Sequence, residues 1–215
     1  RDYQYLFHLW ILILANSGIR PPTGRTEHTL MKWEHVEFSD PERPLLLRPD
    51  EKSHTYAAII MPNAVTYINE LRSFYEEQRD MPCKKSDYLF RHTRDRKTEL
   101  GSWEVRQGDP IYSFRKQWVN MVEALGLAEK GAPQSERVSP SSLRAWFITS
   151  RLYADDRVDI LQLARATGTS VGQIEERYAR LDTRRSYDWL SAGGYISEGK
   201  PKYEMINGTK YYVGK

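Results

Sequence analysis

Ser139-Pro-Ser-Ser-Leu-Arg144, continued by Ala145, Trp146 and Phe147, is the stretch on which the reading of this chain turns. Ser139 is a good N-cap and Pro140 suits the first helical position, so a helix is expected from here to about Tyr153. Arg144 then falls among Leu143, Trp146 and Phe147 at the start of an apolar helix. A guanidinium in such a place needs acceptors. The plain structural alternative is a salt bridge to a core carboxylate. Downstream, a helix over about Val158 to Ala166 closes at Thr167-Gly168. Ser170-Val-Gly-Gln173 has the capping-box pattern and opens a last helix to about Arg180.

Working upstream, residues Tyr3 to Asn16 read as a buried helix ended by Ser17-Gly18. After a loop with Pro21, Pro22 and Gly24, a short helix carries Leu30, Met31 and Trp33. His35 to Phe38, Leu45 to Arg48 and Thr55 to Met61 read as short strands, with Pro49 to Ser53 turning between the last two. Helices follow over about Asn63 to Gln78, with Val65, Ile68 and Leu71 on one face, and over about Ile111 to Leu125. The stretch Cys83 to Gly108 reads as charged and irregular. Trp10, Trp33, Trp118 and Trp146 are expected in the core. The fold class is therefore α+β, mostly helical, with a small antiparallel sheet.

Composition narrows the class without naming a function. The chain has 215 residues, 40% hydrophobic and 28% charged, enough for one cored domain with an appendage. Lys and Arg number 32 against 29 Asp and Glu, a net charge of +3 that neither proves nor excludes a local basic groove. Cys83 is the single cysteine, which rules out an intramolecular disulfide or a cysteine-rich zinc site and points to the cytosol. The apolar run Leu9 to Ala15 is too short for a bilayer, which needs about 20 residues. The chain opens in helical sequence without an initiator methionine and reads as a fragment or trimmed domain.

Four segments gain meaning together. They are Leu14-Ala-Asn-Ser-Gly-Ile-Arg20 with Glu27 and Leu30-Met-Lys-Trp33 after it; Lys52 in the strand turn; Ser139 to Arg144; and Gly168-Thr-Ser-Val-Gly-Gln-Ile-Glu-Glu-Arg-Tyr178. In order and approximate spacing they resemble the catalytic domain of the tyrosine recombinases (the phage-integrase family), over roughly Tyr3 to Leu181. That family has a Thr-Gly-Leu-Arg element before a Glu and an apolar-Lys-Trp stretch, a lysine in a β-turn, a His-x-x-Arg opening a buried helix, and a Gly-His entrance leading to Arg-Tyr. Each motif alone is weak; four in order are specific.

The resemblance implies a site-specific recombinase or integrase that cuts and rejoins DNA through a 3′-phosphotyrosine. Arg20 and Arg144 match the pair of guanidiniums that hold the non-bridging oxygens, staying charged at every working pH. Tyr178 matches the nucleophile. Lys52 matches the general acid for the leaving 5′-oxygen. Glu27 matches the acidic residue that buttresses the first arginine. No metal or cofactor is implied. The partners implied are double-stranded DNA and further copies of the chain, a tetramer on paired sites.

The departures are Ser141 and Thr169 at two histidine positions, Ala145 after the arginine, and an insertion over Pro21 to Arg25. Serine and threonine donate hydrogen bonds but do not shuttle protons near pH 7. A DNA-binding relative with weak or lost catalysis is thus the alternative, and a type IB topoisomerase-like relaxing enzyme a further one. Residue by residue the plainer readings are also open. Arg20 can cap the preceding helix through its carbonyls, Lys52 can be merely solvated, and Tyr178 is one of 14 tyrosines. The basic run Arg91 to Lys97 suits a solvated loop as well as a DNA contact. Residues 1–185 are assigned to the catalytic domain and 186–215, rich in Tyr with little periodicity, to a tail that docks on this or a neighbouring copy. The family's N-terminal DNA-clamping domain is absent from this chain.

Overall fold

Helix α1, Asp2–Ala15, is the centre of the larger core in the computed structural model, burying Leu6, Phe7, Leu9, Trp10, Ile13 and Leu14. The structure describes residues 1–20, 31–37, 45–48, 56–59, 61–97, 103–129, 131, 133, 138–152, 159–177, 202–206 and 209–214. At 45–48, 56–59, 103 and 202–214 it describes backbone alone. Helix α2, Pro62–Arg79, starts with proline at its first position, buries Ala64, Ile68, Leu71, Phe74 and Tyr75, and packs on α1. The Phe114 ring, just before α3 (Arg115–Ala124), sits 5.1 to 5.9 Å from the rings of Tyr3, Phe7, Trp10 and Phe90. These rings bring the middle of the chain back over α1.

Strands β1 (Val36–Glu37), β2 (Leu45–Arg48) and β3 (Tyr56–Ile59) form the expected antiparallel sheet in that order. Val36 pairs with Leu46, and Leu45 with Ile59. Helices α4 (Ser141–Leu152), α5 (Ile160–Thr167) and α6 (Val171–Arg177) close a second core of Phe147, Ile148, Leu163, Ala164 and Ile174. Asp159 caps α5 by accepting from the Leu161 amide at 2.8 Å, and Gly168 ends it at φ +63°. Compact units span Arg1–Tyr178 and Ala179–Lys215.

Several expectations are corrected. The short helix around residues 30–33 gives way to an isolated bridge from Lys32 to Tyr88 and a 3-10 turn over Trp33–His35. The third helix begins at Arg115, not Ile111, because the segment before it pairs with the chain at residues 90–91, the Ile111 amide donating to the Phe90 carbonyl at 2.9 Å. The stretch read as irregular holds a hairpin, β4 (Arg96–Lys97) with β5 (Trp103–Val105). The tail carries another, β6 (Lys202–Ile206) with β7 (Thr209–Gly214), in which Tyr203 faces Tyr212. The basic run is split. Arg91 is buried, ion-paired to Asp87 at 2.6 Å and donating to the Pro82 carbonyl at 2.9 Å.

One polar clamp fixes the start of α1. Arg79 donates to both Asp2 oxygens, at 2.8 and 2.6 Å, and the Thr93 hydroxyl adds a bond at 3.0 Å. The Arg79 bonds first, and Thr93 in support, hold the Asp2 carboxyl at about 2 against an ordinary 3.8, with burial opposing. A depressed folded-state value adds stability above the ordinary carboxyl range and loses it as pH falls through the folded value. Asp2→Asn is expected to cost about 1 kcal/mol at neutral pH, the upper end for a paired surface carboxylate. It should also flatten the fall in stability between about pH 4 and 2, and thermal melts across that range check both.

Candidate active site

The end of α1 satisfies its own carbonyls. Asn16 Nδ2 donates to Leu12 O at 2.8 Å, Ser17 Oγ to Ile13 O at 2.7 Å, and the Gly18 amide to Leu14 O at 3.1 Å. Arg20 is therefore not needed as a helix cap; it is exposed, directly after Ile19, which is 1% exposed and part of the larger core. Gly18 adopts φ +62°, the left-handed conformation that turns the chain out of the helix.

Arg144 reaches this turn from the far side of the sequence. It is 4% exposed, and its Nη1 donates to the Gly18 carbonyl at 2.7 Å, across 126 residues. One turn further along α4, the Phe147 ring covers the Gly18 α-carbon so closely that a Cβ there would lie 2.5 Å from Cδ1. Met61, which packs on the second core, donates its amide to the Asn16 carbonyl at 3.0 Å. The segment 16–18 is thus a junction. It joins the turn bearing Arg20, the start of the helix bearing Arg144, and the chain between β3 and α2. Arg144 is seated on a backbone carbonyl two residues from Arg20.

Ser141 is the exposed first residue of α4, and Ala145 is half-buried. Thr169 stands before α6, where its hydroxyl donates to Gln173 Oε1 at 2.8 Å. The serine half of the expected capping box forms, with the Gln173 amide donating to Ser170 Oγ at 3.2 Å, while the glutamine oxygen is engaged by Thr169. Trp146, expected in the core, is 56% exposed. It lies two residues from Arg144, and two steps of about 100° carry it to the opposite side of the helix. Glu27, Lys52 and Tyr178 lie outside the described residues; α6 runs to Arg177, the residue before Tyr178.

Sequence reading missed Gly18 and Phe147 as parts of this junction. The glycine signalled only a helix end, and the phenylalanine only a core position. Among the described residues no cluster of His, Cys, Asp and Glu is arranged to hold a metal ion, and no helix is long and apolar enough to cross a membrane. Chemically, the junction brings a buried guanidinium onto the backbone turn that carries an exposed arginine two residues further on.

No protein-family profile and no curated protein matches the chain. Solved structures do. The XerH site-specific recombinase bound to difH substrate, in a pre-cleavage complex, superposes with a TM-score of 0.59 over 90% of this chain at 17% identity. XerA recombinase gives 0.53 over 89% at 18% identity. The Tn1549 transposon integrase in complex with transposon right-end DNA gives 0.51 over 87% at 13% identity. The chain spans 48%, 63% and 59% of those three chains. At these identities the likeness speaks for the fold, and the mostly helical chain with its small antiparallel sheet has the tyrosine recombinase catalytic-domain fold.

Proposed function

We propose that residues 1–185 are the catalytic domain of a site-specific recombinase or integrase that cuts and rejoins DNA through a 3′-phosphotyrosine at Tyr178. The observation that carries this reading is the seat of Arg144 on the Gly18 carbonyl, beside the loop of Arg20, in a fold shared with DNA recombinases. In this reading the two guanidiniums neutralise the charge that builds on the non-bridging oxygens as the phenolate of Tyr178 attacks. Lys52 protonates the departing 5′-oxygen, and Glu27 braces Arg20. The attack conserves one phosphodiester-type bond, so rejoining needs no external energy and no cofactor. The working form is a homo-oligomer, a tetramer on paired double-stranded sites in the cytoplasm, with residues 186–215 docking on a neighbouring copy.

The test is covalent trapping. A nicked suicide half-site incubated with the full-length protein should yield a protein–DNA adduct whose peptide maps to Tyr178. A second reading, a DNA-binding relative with lost catalysis, draws on the neutral groups at Ser141 and Thr169, the latter already donating its hydrogen bond to Gln173. Tight binding of the verified site with no adduct would select it. Under either reading binding is dominated by phosphate contacts and falls steeply with salt. A footprint of about five phosphates would lose roughly 500-fold in affinity between about 50 and 200 mM salt. Titrations over that range check this; a flat salt dependence would count against any DNA role.

A further inference from the structure

We propose that Gly18 and Phe147 act together as a positioning device that holds Arg20 and Arg144 in register for a single phosphate, a role that rests on the recombinase reading above. Helix α4 grips Gly18 at two points. Arg144 takes its carbonyl at 2.7 Å, and the Phe147 ring lies on its α-carbon. Two contacts one helical turn apart constrain both the distance of α4 from the turn and its tilt there. Phe147 is itself held. It is 4% exposed, and the Arg151 guanidinium stands 5.7 Å over its ring.

The same place is the seam between the two cores. Ile19 belongs to the larger one and Phe147 to the smaller, while Leu143 of α4 packs on the larger. Arg20 follows Ile19 immediately, so its backbone origin is fixed by the seam on one side, as that of Arg144 is on the other. Position 18 must then be glycine for two independent reasons, φ +62° and a Cβ that would meet Phe147 at 2.5 Å. Any larger residue pushes the two arginine-bearing elements apart. In a site that works by placement, a displacement of about 1 Å costs on the order of a hundredfold in rate.

The experiment compares wild type, Gly18→Ala, Phe147→Leu and the double variant in the full-length protein. It reads single-turnover adduct formation on a nicked half-site, half-site affinity and thermal melting. Gly18→Ala is expected to slow cleavage by roughly a hundredfold with affinity little changed. Phe147→Leu alone should slow it about tenfold, and the double variant should recover about tenfold over Gly18→Ala, because the smaller side chain makes room for the methyl. A folded Gly18→Ala that cleaves at the wild-type rate overturns the role, as does a double variant no faster than Gly18→Ala. So does a rate that falls only in step with affinity and melting temperature, the mark of a purely structural contact. Should Gly18→Ala fail to fold, Phe147→Leu decides: slowed cleavage with intact binding supports the role, and unchanged cleavage overturns it. A wild-type protein that binds its site but forms no adduct overturns the recombinase reading itself and the positioning role with it. A wild-type adduct with indifferent variants overturns the positioning role alone.

Discussion

Tyr178→Phe is expected to abolish covalent attachment to DNA while leaving DNA binding almost as it was. The substitution removes one oxygen atom and keeps the ring. What it removes is the only atom that the proposed mechanism joins to phosphorus. Deleting the nucleophile of a covalent mechanism typically costs roughly 10⁴-fold or more in rate. The measurement is a denaturing gel of protein with a nicked suicide half-site, next to a binding titration on the same DNA. An undiminished adduct in the variant would show that another residue attacks. A loss of binding along with the adduct would show that the ring, not the hydroxyl, matters at this position.

Much of the scaffold on which that tyrosine sits could be read from local sequence. Helices α1, α2, α4, α5 and α6 follow from apolar periodicity and, for all but α2, from end signals that act within a few residues: Gly18, Pro140, Gly168 and Ser170. The β4–β5 hairpin, missed by sequence, has a different physics. β4 and β5 have two and three residues, too few for a period to register, and their pairing is set by the chain around them. In the Arg91 to Lys97 run, sequence shows like charges, while the fold takes Arg91 inside because Asp87, one helical turn's spacing away, and the Pro82 carbonyl await it.

The candidate site divides along the same line. Motif order singled out Arg20 and Arg144, but nothing in either motif says that the second arginine would rest on the carbonyl before the first. That contact spans 126 residues and belongs to tertiary structure, not to either motif. The structural alternative for Arg20, a helix cap, fails for a local reason that could have been foreseen. Asn16 and Ser17 are both short polar residues able to close the last turn of α1 themselves. The exposure of Trp146 was equally foreseeable, because placing Arg144 and Phe147 on the inner face of α4 turns position 146 outward.

Arg144 separates a structural arginine from a catalytic one, since its burial makes it both in principle. Arg144→Ala leaves the Gly18 carbonyl without this donor. An unsatisfied buried acceptor costs about 1 to 3 kcal/mol, so the variant should melt earlier. In the proposed reaction it also loses a charge that acts on the transition state, and cleavage should fall by at least about a hundredfold, on the order expected for one such donor. Stability and cleavage are separable in Arg144→Lys. An ammonium can still reach a backbone carbonyl and recover much of the melting temperature. It cannot hold two phosphate oxygens with a planar fork, so cleavage should stay low. Melting curves together with single-turnover adduct rates for both variants make the distinction. If Arg144→Lys recovers stability and cleavage in parallel, the guanidinium serves only to fasten α4 to the Gly18 turn, and the phosphate must be held by other groups.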